Sequence, residues 1–186
     1  MTIVDLGTDL DEPVSLAVAK GWCRIENTDE DDLVVALIRA ARQAIEAATG
    51  LVLVRRGFRL YVDPVPSTGW IEIARQPLVA VTSLVAYDGS GEPVSFGLDE
   101  VVIGRALGVE ALRLSPAVRA AATNGVEVEF EAGFAAGTVP EPLCLALKQI
   151  VATSYEVRSA VHPAAQPAIV PASAAALIAS YRQVRL

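Results

Sequence analysis

Between Leu33 and Ala48 the apolar positions are Leu33, Val34, Leu37, Ile38, Ala41, Ala44, Ile45 and Ala48. At about 100° per residue these cover one broad helix face, with Arg39, Arg42, Gln43 and Glu46 opposite. Thr28 or Asp29 can cap this helix, and Glu30, Asp31 and Asp32 put negative charge at the positive end of its dipole. Gly50 is placed to close it in a left-handed cap. A shorter helical signal comes first. Ser15 can cap a turn or two carrying Leu16, Val18 and Ala19, and Gly21 is expected to end them.

From Leu51 to about Phe134 the period changes to that of strands. Leu51–Val54 and Phe58–Val62 are rich in β-branched and aromatic residues, Pro64 and Pro66 break the run, and Trp70–Ile73 begins another. Val79–Tyr87 reads as a strand ending at the Asp88-Gly89 turn signal. Val101–Ile103 and Leu112–Leu114 are shorter candidates. Residues 126–131 alternate Val126, Val128 and Phe130 with Glu127, Glu129 and Glu131, which predicts one buried and one wet face.

Helix returns after Pro140-Glu141-Pro142, where Leu143, Leu147, Ile150, Val151 and Ser154 form one stripe. Residues 160–176 are almost entirely Ala and Pro, and Pro163, Pro167 and Pro171 forbid a continuous helix there. A last short helix is expected near Ala174–Tyr181. The predicted fold class is α+β. One domain would span 1–159, helical in 1–50 and 140–159 with a β-rich insertion at 51–139. An arm and terminal segment would occupy 160–186.

Composition narrows the function. The chain has 186 residues, 53% of them hydrophobic, and much of that share is 31 Ala and 25 Val. A core is therefore affordable in length, and disorder throughout is excluded. No run of 18 apolar residues is free of charge and proline, so no membrane-spanning helix is expected. An acid-rich start and only two cysteines, Cys23 and Cys144, read as a cytoplasmic product without a disulfide framework. The net charge is −7, all of it carried by residues 1–32, because residues 33–186 hold 13 acids and 13 bases. A chain without a basic stripe does not hold phosphate backbones by charge.

Signals for catalysis are sparse. His162, the only histidine, lies in the arm, and neither cysteine has a base nearby in the chain. The acids at 29–32 are consecutive, unlike a calcium loop, and read as helix capping. Gly89-Ser90-Gly91 lacks the lysine of a phosphate loop. No cofactor and no metal is expected. The row Glu127, Glu129 and Glu131 is either a solvated strand face or the acidic lining of a passage. A small enzyme or ligand-binding domain using Glu127, Glu129 or Asp99 is the rival reading from another class.

The C-terminus carries the most suggestive pattern. Leu177, Ile178 and Tyr181 are followed by Arg182, Val184, Arg185 and Leu186, the residue types of an anchoring peptide. Folding back onto the chain's own core and reaching another subunit both remain open. On the second reading, residues 172–186 are disordered or loosely packed in the free chain and become ordered on a partner.

Three pieces resemble phage head–tail connector proteins, the adaptors beneath the portal of long-tailed phages. They are Pro13–Lys20 followed by Asp29–Asp32 and the helix to Gly50; Val139-Pro140-Glu141-Pro142-Leu143 with its helix through Tyr155-Glu156; and Ala176–Leu186. The composition is also similar to that of phage-derived gene transfer agents. The resemblance implies a non-enzymatic structural protein in a twelve-fold ring, with the portal above, a stopper or head-closure protein below, and DNA passing through the lumen. It implies assembly in the host cytoplasm, then residence in the particle neck, without a membrane. It assigns Leu177, Tyr181, Arg182, Arg185 and Leu186, with Ile178 and Val184 in the same segment, to portal docking. Another neck position, such as the stopper, is the alternative within the same particle.

Overall fold

A computed structural model describes residues 1–7, 10–106, 108–157 and 170–182. It has an α+β fold, with strands β1 (Thr2–Asp5), β2 (Arg56–Val62), β3 (Trp70–Glu72), β4 (Leu78–Tyr87), β5 (Pro93–Ser95), β6 (Val101–Ala106), β7 (Val109–Leu114) and β8 (Val126–Ala132). The helices are α1 (Leu16–Cys23), α2 (Asp31–Thr49), α3 (Pro116–Ala121), α4 (Glu141–Val157) and α5 (Ala172–Ala179), with a 3-10 turn at Leu98–Glu100. The chain divides into two compact units. A strand unit comprises Met1–Leu10 and Arg55–Gly133, and a helical unit comprises Asp11–Val54 and the described residues from Phe134 onward.

In the helical unit, Ser15 caps α1 by accepting from the Val18 N–H at 3.3 Å. The helix runs past Gly21, which was expected to end it, and closes at Arg24 in the left-handed region (φ 57°). There the Ile25 N–H reaches the Lys20 carbonyl and the Arg24 N–H the Gly21 carbonyl, so backbone bonds set the terminus instead of the glycine. Helix α2 starts two or three residues after the expected caps. Glu30 takes the cap position without a side-chain cap bond, and the Thr28 carbonyl accepts from the Asp31 N–H. Gly50 closes α2 in the left-handed region, as its position predicts. Val34, Ile38 and Ile45 of α2 pack with Leu143, Leu147 and Ile150 of α4 in one buried cluster.

Arg42 and Glu46, placed on the polar face by periodicity, are buried. Leu51–Val54 does not form a strand, although Val52 and Leu53 are buried. The Leu53 N–H donates to the Glu46 carboxylate at 2.8 Å, so a side chain holds a backbone group that a strand would have used.

In the strand unit, five strands pair antiparallel in the order β1-β2-β8-β4-β5, and three in the order β3-β7-β6. Strand β8 alternates buried and half-buried residues along its length, with Phe130 opposite Phe58 in β2, their rings stacked at 5.6 Å. Strands β1 and β5 and helix α3 have no counterpart in the periodicity. Each is six residues or fewer, too short to show a period. Helix α3 still carries its local signal, Ser115 capping it ahead of Pro116.

Candidate functional site

Two regions hold the residues singled out by sequence, the C-terminal segment and the outer face of β8. Helix α5 is Ala-Ser-Ala-Ala-Ala-Leu-Ile-Ala, without a charge. Ala174 and Ile178, one turn apart, are completely buried in the helical unit's core, and Leu177 and Tyr181 pack partly against it. The segment 172–181 is therefore seated on its own chain, not loosely packed as the anchoring reading expected. Small and branched side chains at i and i+4 let α5 lie close on α4. Ile178 serves this seat and has no surface to offer a partner. Arg182 is exposed, with its N–H on the Ala179 carbonyl. Val184, Arg185 and Leu186 lie outside the described residues, as does His162.

On β8 the carboxylate row is matched by arginines. Arg59 reaches Glu129 at 2.5 Å and Glu127 at 3.3 Å, and Arg55 stands 3.8 Å from Glu131. The Tyr87 hydroxyl donates to Glu127 at 3.2 Å. The Tyr61 hydroxyl, then Glu129, hold the Arg59 pKa above its ordinary value. Partial burial, then the Glu127 carboxylate, push the Tyr87 phenol up. The row is thus an ion-paired surface, with both tyrosines and Arg59 supplied by strands on either side of β8. Asp99 sits in the exposed 3-10 turn, with no bond to the row.

Cys23 and Cys144 are free and half-buried, and burial pushes both thiols up, the reverse of what a nucleophilic thiolate requires. Among the described residues, no group of three His, Cys, Asp or Glu side chains could hold a metal ion. No helix among them is long and apolar enough to cross a membrane. Sequence reasoning missed the exposed Trp22 of α1, whose ring lies 5.1 Å from the Lys148 ammonium. It also missed the exposed Val102 and Ile103, although three consecutive β-branched residues at 101–103 were visible.

Residues 13–89 match the phage gp6-like head-tail connector protein family. This match bears out the resemblance read from the sequence. It spans α1, α2 and the strands from β2 to the turn after β4, and so includes parts of both units. No curated protein matches the chain. Among solved structures, a chain in the neck of an empty GTA particle computed with C6 symmetry superposes with a TM-score of 0.79 at 24% identity, covering 100% of this chain and 97% of that one. A chain of the virion of a native gene transfer agent particle gives a TM-score of 0.76 at the same identity and coverage. One in the neck of the native particle, computed with C12 symmetry, gives 0.69, again at 24% identity and the same coverage. At this identity the likeness is one of fold, and it extends beyond the connector match to the whole chain.

Proposed function

We propose that this chain is a structural neck protein of a phage-like particle, an adaptor that forms a ring between the portal and the next neck protein. The observation that carries the reading is the coincidence of two matches, the head-tail connector family over 13–89 and neck-protein folds over the full length. The ring would hold about twelve copies, the symmetry reported for one of the similar structures, and would let DNA pass through its lumen. A net charge of −7 per copy supports that passage, because a wall of the same sign as DNA does not hold it.

The portal contact is assigned to the C-terminal segment, in a form adjusted to its packing. Helix α5 stays on the helical unit through Ala174 and Ile178. The residues assigned to the portal contact are then Leu177, Tyr181 and Arg182, together with Val184, Arg185 and Leu186, which follow in sequence. Assembly would occur in the host cytoplasm, with a stopper as the lower neighbour. The test is the yield of tailed particles from cells producing Tyr181→Ala. Loss of tailed particles from a protein that still unfolds in one cooperative transition, at a midpoint lowered only by the packing Tyr181 gives up, is expected. A wild-type yield would refute the docking assignment.

A further inference from the structure

The two sheets of the strand unit end on four edge strands, β1 and β5 in one and β3 and β6 in the other. Proteins blunt exposed edges by making them short or by placing proline on them. Strands β3 and β5 fit that rule, each three residues long, with Pro93 opening β5. Strand β6 does not. It has six residues, no proline and one charge, Arg105, and Val102 and Ile103 are 57% and 42% exposed. Strand β1 is also open, with Val4 exposed and Leu6 exposed just beyond it.

The register shows which backbone groups face outward. The Ser115 N–H donates to the Glu100 carbonyl, one step beyond the Val101–Leu114 pair. Hydrogen-bonded pairs alternate in an antiparallel ladder, so Val102, Gly104 and Ala106 turn their groups to β7. Ile103 and Arg105 then turn theirs to the open side. On β1, the Leu6 N–H donates to the Gly57 carbonyl, one step beyond the Asp5–Phe58 pair. The same alternation leaves Ile3 and Asp5 facing out.

We propose that β6 of one copy adds antiparallel beside β1 of a second copy, joining neighbours in the ring through these two open edges. This rests on the ring reading above. The edges suit each other. Each presents two outward residues at the same spacing, one isoleucine and one charged residue, Arg105 on β6 and, on β1, Asp5, which already holds Arg56 of its own copy at 2.8 Å. Pairing Ile3 with Arg105 and Asp5 with Ile103 puts the two isoleucines, Asp5 and Arg105 on one face. It sets Val4 beside Gly104, against which the Trp70 ring already lies. Because the edges differ, the contact is head-to-tail, the kind that repeats around an axis into a closed ring.

In this register Thr2 faces Ala106 as a non-hydrogen-bonded pair, with Cα atoms about 4.5 Å apart and within disulfide reach. The experiment mixes full-length Thr2→Cys and Ala106→Cys proteins, both also carrying Cys23→Ser and Cys144→Ser, with the portal under mild oxidation. A covalent dimer from the mixture, and from neither protein alone, is expected. Ile103→Pro removes an N–H that points outward, so its thermal midpoint should stay at wild type while ring yield falls at least about tenfold. Ile103→Lys gives the same readout if the proline disturbs folding.

Rings that form without the cross-link, and form normally with Ile103→Lys, would overturn the edge pairing and leave the ring reading standing. Covalent dimers of Ala106→Cys alone would mean that β6 pairs with itself, which also overturns it. A wild-type protein that stays monomeric with portal would remove the ring reading, and the proposal with it.

Discussion

Arg42 in the helical unit and Arg59 in the strand unit each stand between two carboxylates. In the helical unit, Arg42 reaches Glu12 at 2.8 Å and Glu46 at 3.1 Å, with its side chain 4% exposed. In the strand unit, Arg59 spans Glu127 and Glu129 at 3.3 and 2.5 Å, with its side chain 38% exposed. Periodicity places Arg42 on the polar face of its helix, and Arg59 lies between the buried Phe58 and Leu60 of β2. Their surroundings separate them. Glu46 is also tied to the Leu53 N–H, so the Arg42 cluster joins the approach to α1, the middle of α2 and the chain that leaves it. Inside a protein, charges without partners are costly, whereas water screens a surface pair and competes for it. The first cluster is therefore part of the fold, and the second is a surface whose loss the fold should tolerate.

Substitutions sharpen that contrast. Arg42→Ala removes the cation between Glu12 and Glu46 and should cost about 3–5 kcal/mol in denaturant unfolding, enough to threaten the helical unit. Ile178→Ala should follow at about 2–5 kcal/mol, because it opens a cavity beneath α5. An unchanged midpoint for this variant would mean that α5 is seated elsewhere in solution. Glu46→Gln keeps an acceptor for Leu53 but weakens the bond to Arg42, at about 1–3 kcal/mol.

A pH titration gives a smaller, local effect. The Ser90 hydroxyl, then the Glu92 and Ser90 N–H groups, hold Asp88 below its ordinary value of 3.8. Its folded pKa is depressed, so its contribution to the turn is complete above 3.8 and is lost as pH falls through the lower folded value. The amide resonances of Ser90 and Glu92 should titrate with a midpoint below 3.8, and a midpoint at or above it would contradict the turn's hydrogen bonding. Arg59→Ala should do least, leaving the thermal midpoint where it was. A large drop there would erase the distinction between the two clusters.

Long, regular stretches were legible in the sequence, and short ones only where β-branched or aromatic residues clustered, as at β3, β6 and β7. The stripe on α2, its Gly50 cap and the alternation of β8 follow from periods repeated several times. The four-residue β1 and six-residue α3 contain too few positions for a period to emerge. Arg42 and Glu46 were misplaced because a helical period gives a direction but not the neighbours in that direction. Here the neighbours are Glu12 and the Leu53 backbone, 30 residues before Arg42 and seven after Glu46. The C-terminal candidates were legible as residue types, but their packing was not. Only the fold shows that Ala174 and Ile178 face inward. The connector resemblance did not depend on packing, because it lay in the order of short pieces along the chain.

The most direct measurement is the native mass of the portal complex after mixing with full-length protein, wild type or Arg182→Ala/Arg185→Ala. The adaptor reading predicts that the portal gains about twelve copies of the wild type, matching the C12 symmetry of a similar neck structure, and few or none of the variant. A portal whose mass changes with neither protein would contradict it.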